Sequence, residues 1–233
     1  MVPAFPMRRK ARSAGPNRVL RYQPHITPLG APAMRYAYLL ASLATIALAS
    51  LALADSPPTE ALPSIFNGRD LTGWQMPNEP AYWSVVDNAI VGQSDERKLG
   101  SMLFTEKSYG NAIVEAEVRF TGEIDSGIMM RKPELQVQIG VSRSLKRDMT
   151  CSFYTGKYPE EARAPKATEL WKPGEWNRIR FAAKGDSFTV WLNGVQVSHY
   201  QDAKYADPAP IGLQIHAGLV MKVEFRDIRA LAL

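Results

Sequence analysis

The chain holds a single cysteine, Cys151, among 233 residues. No internal disulfide can form, and neither a paired-cysteine metal site nor a CxxC redox centre is available. A lone thiol in the strand-like stretch 150–154 is expected to act as a small apolar filler rather than a nucleophile. Histidine is almost as scarce. Beyond residue 54 only His199 and His216 remain, too few for a multi-histidine zinc centre. No Gly-rich loop joins a strand to a helix, which excludes dinucleotide and P-loop sites, and there is no Gly-x-Ser-x-Gly elbow. Helical periodicity is nearly missing, with about one turn near 106–109 and another within 159–166.

Acidic residues are absent from the first 54 positions, where Arg8, Arg9, Lys10, Arg12, Arg18, Arg21 and Arg35 sit. Seven of the 28 basic residues and none of the 23 acidic ones fall there, so the remainder carries 21 against 23, a net charge of −2. The pI near 9.3 therefore belongs to a leader, and a nucleic-acid partner for the body is excluded. Within that leader, Met34-Arg35-Tyr36, the uncharged stretch 37–54 and the small residues Ala52-Leu53-Ala54 have the three parts of a secretory signal peptide. Cleavage after Ala54 is expected in preference to retention as a membrane anchor, because the stretch is rich in Ala and ends in small residues. The mature chain is then expected to be exported, periplasmic or extracellular, with no stable membrane anchor. Residues 1–33, rich in Pro and Arg, show no hydrophobic period. They are either an extended basic start region or, in preference, sequence upstream of a true start at Met34, and in both cases are expected to be disordered. Residues 55–63, with three prolines, read as a linker, and 64–233 as one folded domain.

What that body does contain is period-two alternation. Strands are expected at 82–86, 89–93, 101–104, 112–120, 127–131, 134–139, 150–154, 176–183, 188–192, 195–201, 211–216 and 222–230. Asp87-Asn88 reads as a hairpin turn, and Asn193-Gly194 supplies the positive φ angles of a tight hairpin. About a dozen short strands with turns between them predict an all-β, two-sheet antiparallel sandwich.

With nucleotide, zinc and elbow chemistry excluded, polar side chains on sheet faces near aromatic rings are left, the composition of a carbohydrate site. Alternation puts Glu134, Gln136 and Gln138 on one face of a strand, opposite Leu135, Val137 and Ile139. The commoner explanation of such a row is a solvent-facing edge of an outer sheet. Gln214 and His216 share a face of another strand, although a lone histidine more often serves structure. Glu115 and Glu117 stand about 6–7 Å apart by strand rise, compatible with a glycosidase carboxylate pair. Arg119 continues their row, and an exposed charged face is the commoner reading, so no role is assigned. The five tryptophans read as core or rim packing, Trp191 least firmly.

The motifs Ser64-Ile65-Phe66-Asn67-Gly68-Arg69-Asp70-Leu71-Thr72-Gly73-Trp74, Asp125-Ser126-Gly127-Ile128, Gln136-Val137-Gln138-Ile139, Pro173-Gly174-Glu175-Trp176-Asn177, Val190-Trp191-Leu192-Asn193-Gly194 and Gly212-Leu213-Gln214-Ile215-His216 run in order along residues 64–230. Together they resemble the 3-keto-disaccharide hydrolase family. The resemblance implies a concanavalin A-like, laminin G-like jelly roll. The sequence departs from the family where Gln136 and Ile215 replace carboxylates and where no Asp follows the Gln138 strand.

The resemblance also implies a glycoside substrate already oxidised at its third carbon. A base removes the proton on the second carbon, the enolate expels the aglycone, and water adds back. On this basis His216 or Glu134 is expected as the base, and Arg131 and Lys157 as enolate stabilisers. Tyr154, Gln136, Gln138 and Gln214 are expected to bind hydroxyls, and Arg131 equally fits an ion pair with Glu134 or Asp125. No cofactor or metal is expected. Calcium is conceivable at loop carboxylates such as Asp70 and Asp125, but nothing resembles a calcium loop. The alternatives are a non-catalytic sugar-binding or adhesion module and a conventional glycoside hydrolase working through Glu115 or Glu117.

Overall fold

The structure, a computed structural model, describes residues 59–233. The leader, its cleavage point and most of the linker lie outside the described residues. None of the described helices is long and apolar enough to cross a membrane.

Thirteen strands make up the body: β1 (Trp83–Val86), β2 (Ala89–Gln93), β3 (Ser101–Tyr109), β4 (Ala112–Phe120), β5 (Asp125–Met130), β6 (Leu135–Ser142), β7 (Arg147–Asp148), β8 (Phe153–Tyr154), β9 (Asn177–Lys184), β10 (Ser187–Leu192), β11 (Val195–Gln201), β12 (Ala209–Ile215) and β13 (Lys222–Ala232). They form two antiparallel sheets. The first runs β1-β2-β13-β4-β9-β10-β11 and the second β3-β12-β5-β6-β7, with β8 added against β6. The expected two-sheet jelly-roll sandwich is thus the observed architecture.

The hairpins form where the sequence places them. Asp87 (φ 49°) and Asn88 (φ 61°) close β1–β2, and Asn193 (φ 52°) and Gly194 (φ 85°) close β10–β11. Alternation then sorts the faces. Val114, Ala116 and Val118 of β4, Ile179 and Phe181 of β9 and Val223 and Phe225 of β13 point inward from the first sheet. They meet Ile128 and Met130 of β5, Leu135, Val137 and Ile139 of β6 and Leu213 and Ile215 of β12. Phe153 crosses between the layers, its ring edge-on to Phe181 at 5.5 Å.

Four local expectations are corrected. Residues 106–109 continue β3, because pairing with β12 (Ala209↔Tyr109, Pro210↔Ser108) outweighs a weak helical preference. Within 159–166 the chain forms only a 3-10 turn, Glu160–Ala162, and the one α-helical turn follows at Ala167–Leu170. Cys151 lies in a turn at φ 64° rather than in a strand. It is fully buried, and desolvation raises its thiol pKa far above the usual range, so it stays protonated. Glu134 belongs to the β5–β6 turn and is exposed, so the polar row on β6 begins at Gln136.

Candidate functional site

The outer face of the second sheet carries the polar row, and it is not open to solvent. Gln136 and Gln138 are 2% and 1% exposed, although their side chains point away from the sandwich core. The segment after β6 folds back over them, so that Tyr154 and Tyr158 join Ser142, at the end of β6, on the rim. Gly127, paired with Gln138 across β5–β6, makes the arrangement possible. A Cβ on Gly127 would lie 2.4 Å from Gln136 Nε2, so only a glycine lets the Gln136 amide lie across β5.

The hydrogen bonds have a direction, and Asp125 sets it. Asp125 is 4% exposed at the start of β5. Its carboxylate accepts from Gln138 Nε2 at 2.8 Å and from the Arg143 backbone N–H at 2.9 Å. An ionised carboxylate only accepts, so Gln138 must turn its NH2 toward Asp125 and its oxygen away. That oxygen accepts from Gln136 Nε2 at 2.9 Å, and the same Nε2 donates to Gln214 Oε1 at 3.0 Å. Gln136 Oε1 and Gln214 Nε2 are left facing the depression, one an acceptor and one a donor. A sugar hydroxyl, which both donates and accepts, satisfies such a pair.

His216 stands immediately after β12, half-buried at the depression's edge, with its backbone N–H on Asp125 O at 3.2 Å. Its Nδ1 lies 2.6 Å from Ala217 O. A carbonyl oxygen cannot donate, so Nδ1 carries a proton, and in the neutral ring Nε2 is the acceptor. Arg143 provides the positive charge here. Its guanidinium packs beside Gly218, where an added Cβ would sit 3.4 Å from Nε, and no carboxylate pairs with it among the described residues. Tyr158, its ring 5.0 Å from that of Tyr154, has its phenol pKa pushed up to about 12, chiefly by burial, and so remains a proton donor.

The depression thus gathers Gln136, Gln138, Gln214, Tyr154 and His216 of the expected residues. The other three lie elsewhere. Glu134 and Arg131 line a neighbouring depression. The Arg131 guanidinium is turned inward onto Ala206 O (2.6 Å), Asn111 Oδ1 (2.8 Å) and Gly185 O (3.2 Å), and it pairs with neither Glu134 nor Asp125. Lys157 is exposed and borders a separate hollow with Tyr200 and Tyr205. Arg143, Tyr158 and Ser142 join the site without having been singled out. Tyr158 had a faint signal in its nearness to Tyr154, and Arg143 had none, since loop residues carry no periodicity. Asp125 was visible in the Asp-Ser-Gly motif, but its orienting role was not.

No group of three or more His, Cys, Asp or Glu side chains gathers among the described residues. Of the carboxylates considered for calcium, Asp125 is engaged as above. Asp70 is held within its own turn by Asn67 and Thr72, whose hydrogen bonds bring its pKa down to about 2.

Glu115 and Glu117 are on the other sheet, and their face is not a simply exposed row. Glu115 is 2% exposed, its Oε2 2.8 Å from Arg180 Nε and its Oε1 facing Arg178 at 3.5 Å. Glu117 holds Arg178 at 3.0 Å and Arg226 at 2.7 Å. Trp176 is sandwiched between the guanidiniums of Arg119 (4.3 Å) and Arg226 (4.1 Å). Trp74 and Trp83 are buried, while Trp171 stacks on Phe120 at 4.9 Å. Trp191 lies on the outer side of the first sheet, paired with Arg180 and remote from the amide row.

The family model of the 3-keto-alpha-glucoside-1,2-lyase-like domain matches residues 62–231. No curated protein matches the chain. Two solved structures of glycosyl hydrolase candidates from Parabacteroides distasonis ATCC 8503 share the fold. One is 23% identical, covers 75% of this chain and 95% of its own, and superposes with a TM-score of 0.56. The second is 19% identical, with coverages of 70% and 94% and a TM-score of 0.55. A Bacillus subtilis protein of unknown function with a galectin-like fold is 11% identical, with coverages of 69% and 89% and a TM-score of 0.52.

Proposed function

The chain belongs to the 3-keto-alpha-glucoside-1,2-lyase-like family, a carbohydrate-active family, and from that premise we propose that it cleaves glycosides bearing a ketone at the third carbon of the sugar. The observation that carries this reading is the free Nε2 of His216 at the edge of the pocket whose floor is the oriented amide row.

In this reading the sugar ring lies on Gln136 and Gln214, with Tyr154 at its side. The C3 ketone acidifies the C2 proton. His216 Nε2 takes that proton, the C2–H electron pair moves into the enolate, and the Arg143 guanidinium stabilises the developing oxyanion. The enolate then reforms the ketone and creates a C1–C2 double bond as the C1–O bond breaks. The departing aglycone oxygen takes a proton, for which Tyr158 is the candidate donor. Water adds to C1 of the resulting enone and a proton returns to C2, so the net reaction is hydrolysis. Two carboxylates flanking the bond are not required. That agrees with the pairing of Glu115 and Glu117 to arginines on the opposite sheet. Action outside the cytoplasm is part of the proposal and is supported by the basic, apolar and small residues of 34–54.

The test is to incubate the protein with a 3-keto glucoside in D2O. The expected result is release of the aglycone with deuterium at C2 of the recovered sugar. Turnover without deuterium at C2 would overturn the elimination route. Binding of keto sugars without turnover would instead make this a sugar-binding module.

A further inference from the structure

The second depression on the same sheet face has the build of a binding site that the chemistry above leaves unused. The outer face of the second sheet is laid out by register. Phe104 pairs with Gly212, Gly212 with Met129, and Met129 with Gln136. These four residues form one lateral row with neighbours about 4.8 Å apart, running from the new depression into the amide pocket. Phe104 is partly exposed on the side facing away from the core. Its ring lies over Gly212, where a Cβ would come within 2.6 Å of the ring carbon Cε1. The glycine therefore lets the ring settle onto the sheet. Met129 is 5% exposed on the same face and, with Pro210, extends the apolar floor.

Polar groups rim that floor. Gln75 is tied to the β3 edge by its backbone N–H on Phe104 O (2.8 Å) and its Nε2 on Thr105 O (2.9 Å), so its Oε1 remains available. Lys132 and Glu134 are exposed at the β5–β6 turn. An apolar platform ringed by one amide oxygen, one ammonium and one carboxylate suits a ring with a C–H face and equatorial hydroxyls. Volume supports the same view. The amide pocket, at about 110 Å³, is below the usual size of a ligand site, and the register row from Gln136 through Met129 to Gly212 leads from it to the depression of about 330 Å³.

We infer that this depression is the leaving-group subsite, that its occupant is a second pyranose ring stacked on Phe104, and that the Phe104–Gly212 contact sets the preference for disaccharides over small glycosides. The inference rests on the proposed reading for the word "leaving group", while the binding of a second sugar ring stands apart from it.

Isothermal titration with maltose and with methyl α-D-glucopyranoside, neither of them oxidised, tests the binding. The wild-type chain is expected to bind maltose more tightly. Phe104→Ala is expected to weaken maltose binding about tenfold and leave methyl glucoside unchanged, a loss of the size of one aromatic contact. Phe104→Leu, which keeps the volume, serves if the alanine variant does not fold, and should show the same selectivity. Equal weakening of both ligands, no weakening, or wild-type binding of neither sugar would overturn the inference. Tighter wild-type binding of p-nitrophenyl α-glucoside than of maltose, lost in the variant, would make the occupant an aryl group and overturn the pyranose assignment. Turnover separates the two ideas. If no 3-keto glycoside is cleaved yet Phe104→Ala still selectively weakens maltose, the proposed chemistry fails and the subsite stands. If 3-keto glycosides are cleaved and the variant treats the disaccharide and the methyl glycoside alike, the subsite fails and the chemistry stands.

Discussion

The two outer faces of the sandwich come from the same alternating pattern and end in opposite conditions. On the first sheet, Glu115, Glu117, Arg178, Arg180 and Arg226 neutralise one another in a charged lattice, with Trp176 between Arg226 and Arg119. On the second, three neutral amides hang from one carboxylate, and each link uses only part of an amide's capacity. A carboxylate opposite an arginine neutralises the charge of both, whereas an oriented chain of amides must end in an unused donor or acceptor. Spare capacity in a sheltered place is what a ligand needs, so the neutral face is the one proposed as the site, while the charged face is paired within itself.

The sharpest way to break this contrast is His216→Ala. Loss of the base should lower kcat on a 3-keto glucoside by about 10²–10⁴-fold while the thermal midpoint stays within about a degree of wild type. An unchanged rate would remove His216 from the mechanism. Glu115→Ala on the opposite face should do the reverse. It leaves the partly buried Arg180 without its nearest carboxylate, and urea unfolding should show a loss of up to about 3 kcal/mol with the activity of the folded fraction intact.

Asp125→Asn asks whether the amide row has a direction. An asparagine that keeps its oxygen on the Arg143 N–H offers NH2 to Gln138, which must then flip, followed by Gln136 and Gln214. The pocket's acceptor and donor would then exchange places, Gln136 offering its NH2 and Gln214 its oxygen, at nearly constant shape. KM should rise about tenfold with kcat less affected, about 1.4 kcal/mol of lost binding. An unchanged KM would make the row purely structural.

The smallest effect is on acid stability. The Arg119 hydrogen bond holds the Glu224 pKa below its ordinary value of 4.5. A depressed carboxylate stabilises the fold above its unfolded pKa, and that contribution is lost as pH falls through the folded one. Stability measured from pH 5 downward should therefore fall less steeply in Arg119→Met than in wild type, by under about 1 kcal/mol because the arginine is more than a third exposed. The glutamines of the other face carry nothing that titrates and should add nothing to this slope.

Much of the fold was legible because it is local. Alternation in β4, β6, β9 and β13 and the positive-φ pairs Asp87-Asn88 and Asn193-Gly194 require no knowledge of distant partners. The errors fell where pairing overrode local preference, as at 106–109, or where a turn displaced a residue from its strand, as at Glu134. The site was legible in its strand residues, Gln136, Gln138 and Gln214, whose facing follows from periodicity. Arg143 and Tyr158 were not, because a loop's return path is set by what it packs against. Glu115 was misjudged as exposed because a sequence does not show which strand will bring it an arginine.

The order of residues alone determined that this chain would build an antiparallel sandwich with polar rows on its outer faces, since side-chain direction along a strand has a period of two. Which row would be neutralised by its neighbours and which would be left with unsatisfied valences was decided only by strand order and register. Those bring Arg180 to Glu115 on one sheet and Gln138 to Asp125 on the other. A hydrogen bond or an ion pair exists only between groups that the assembled sheets place within about 3 Å, and no single strand contains that information.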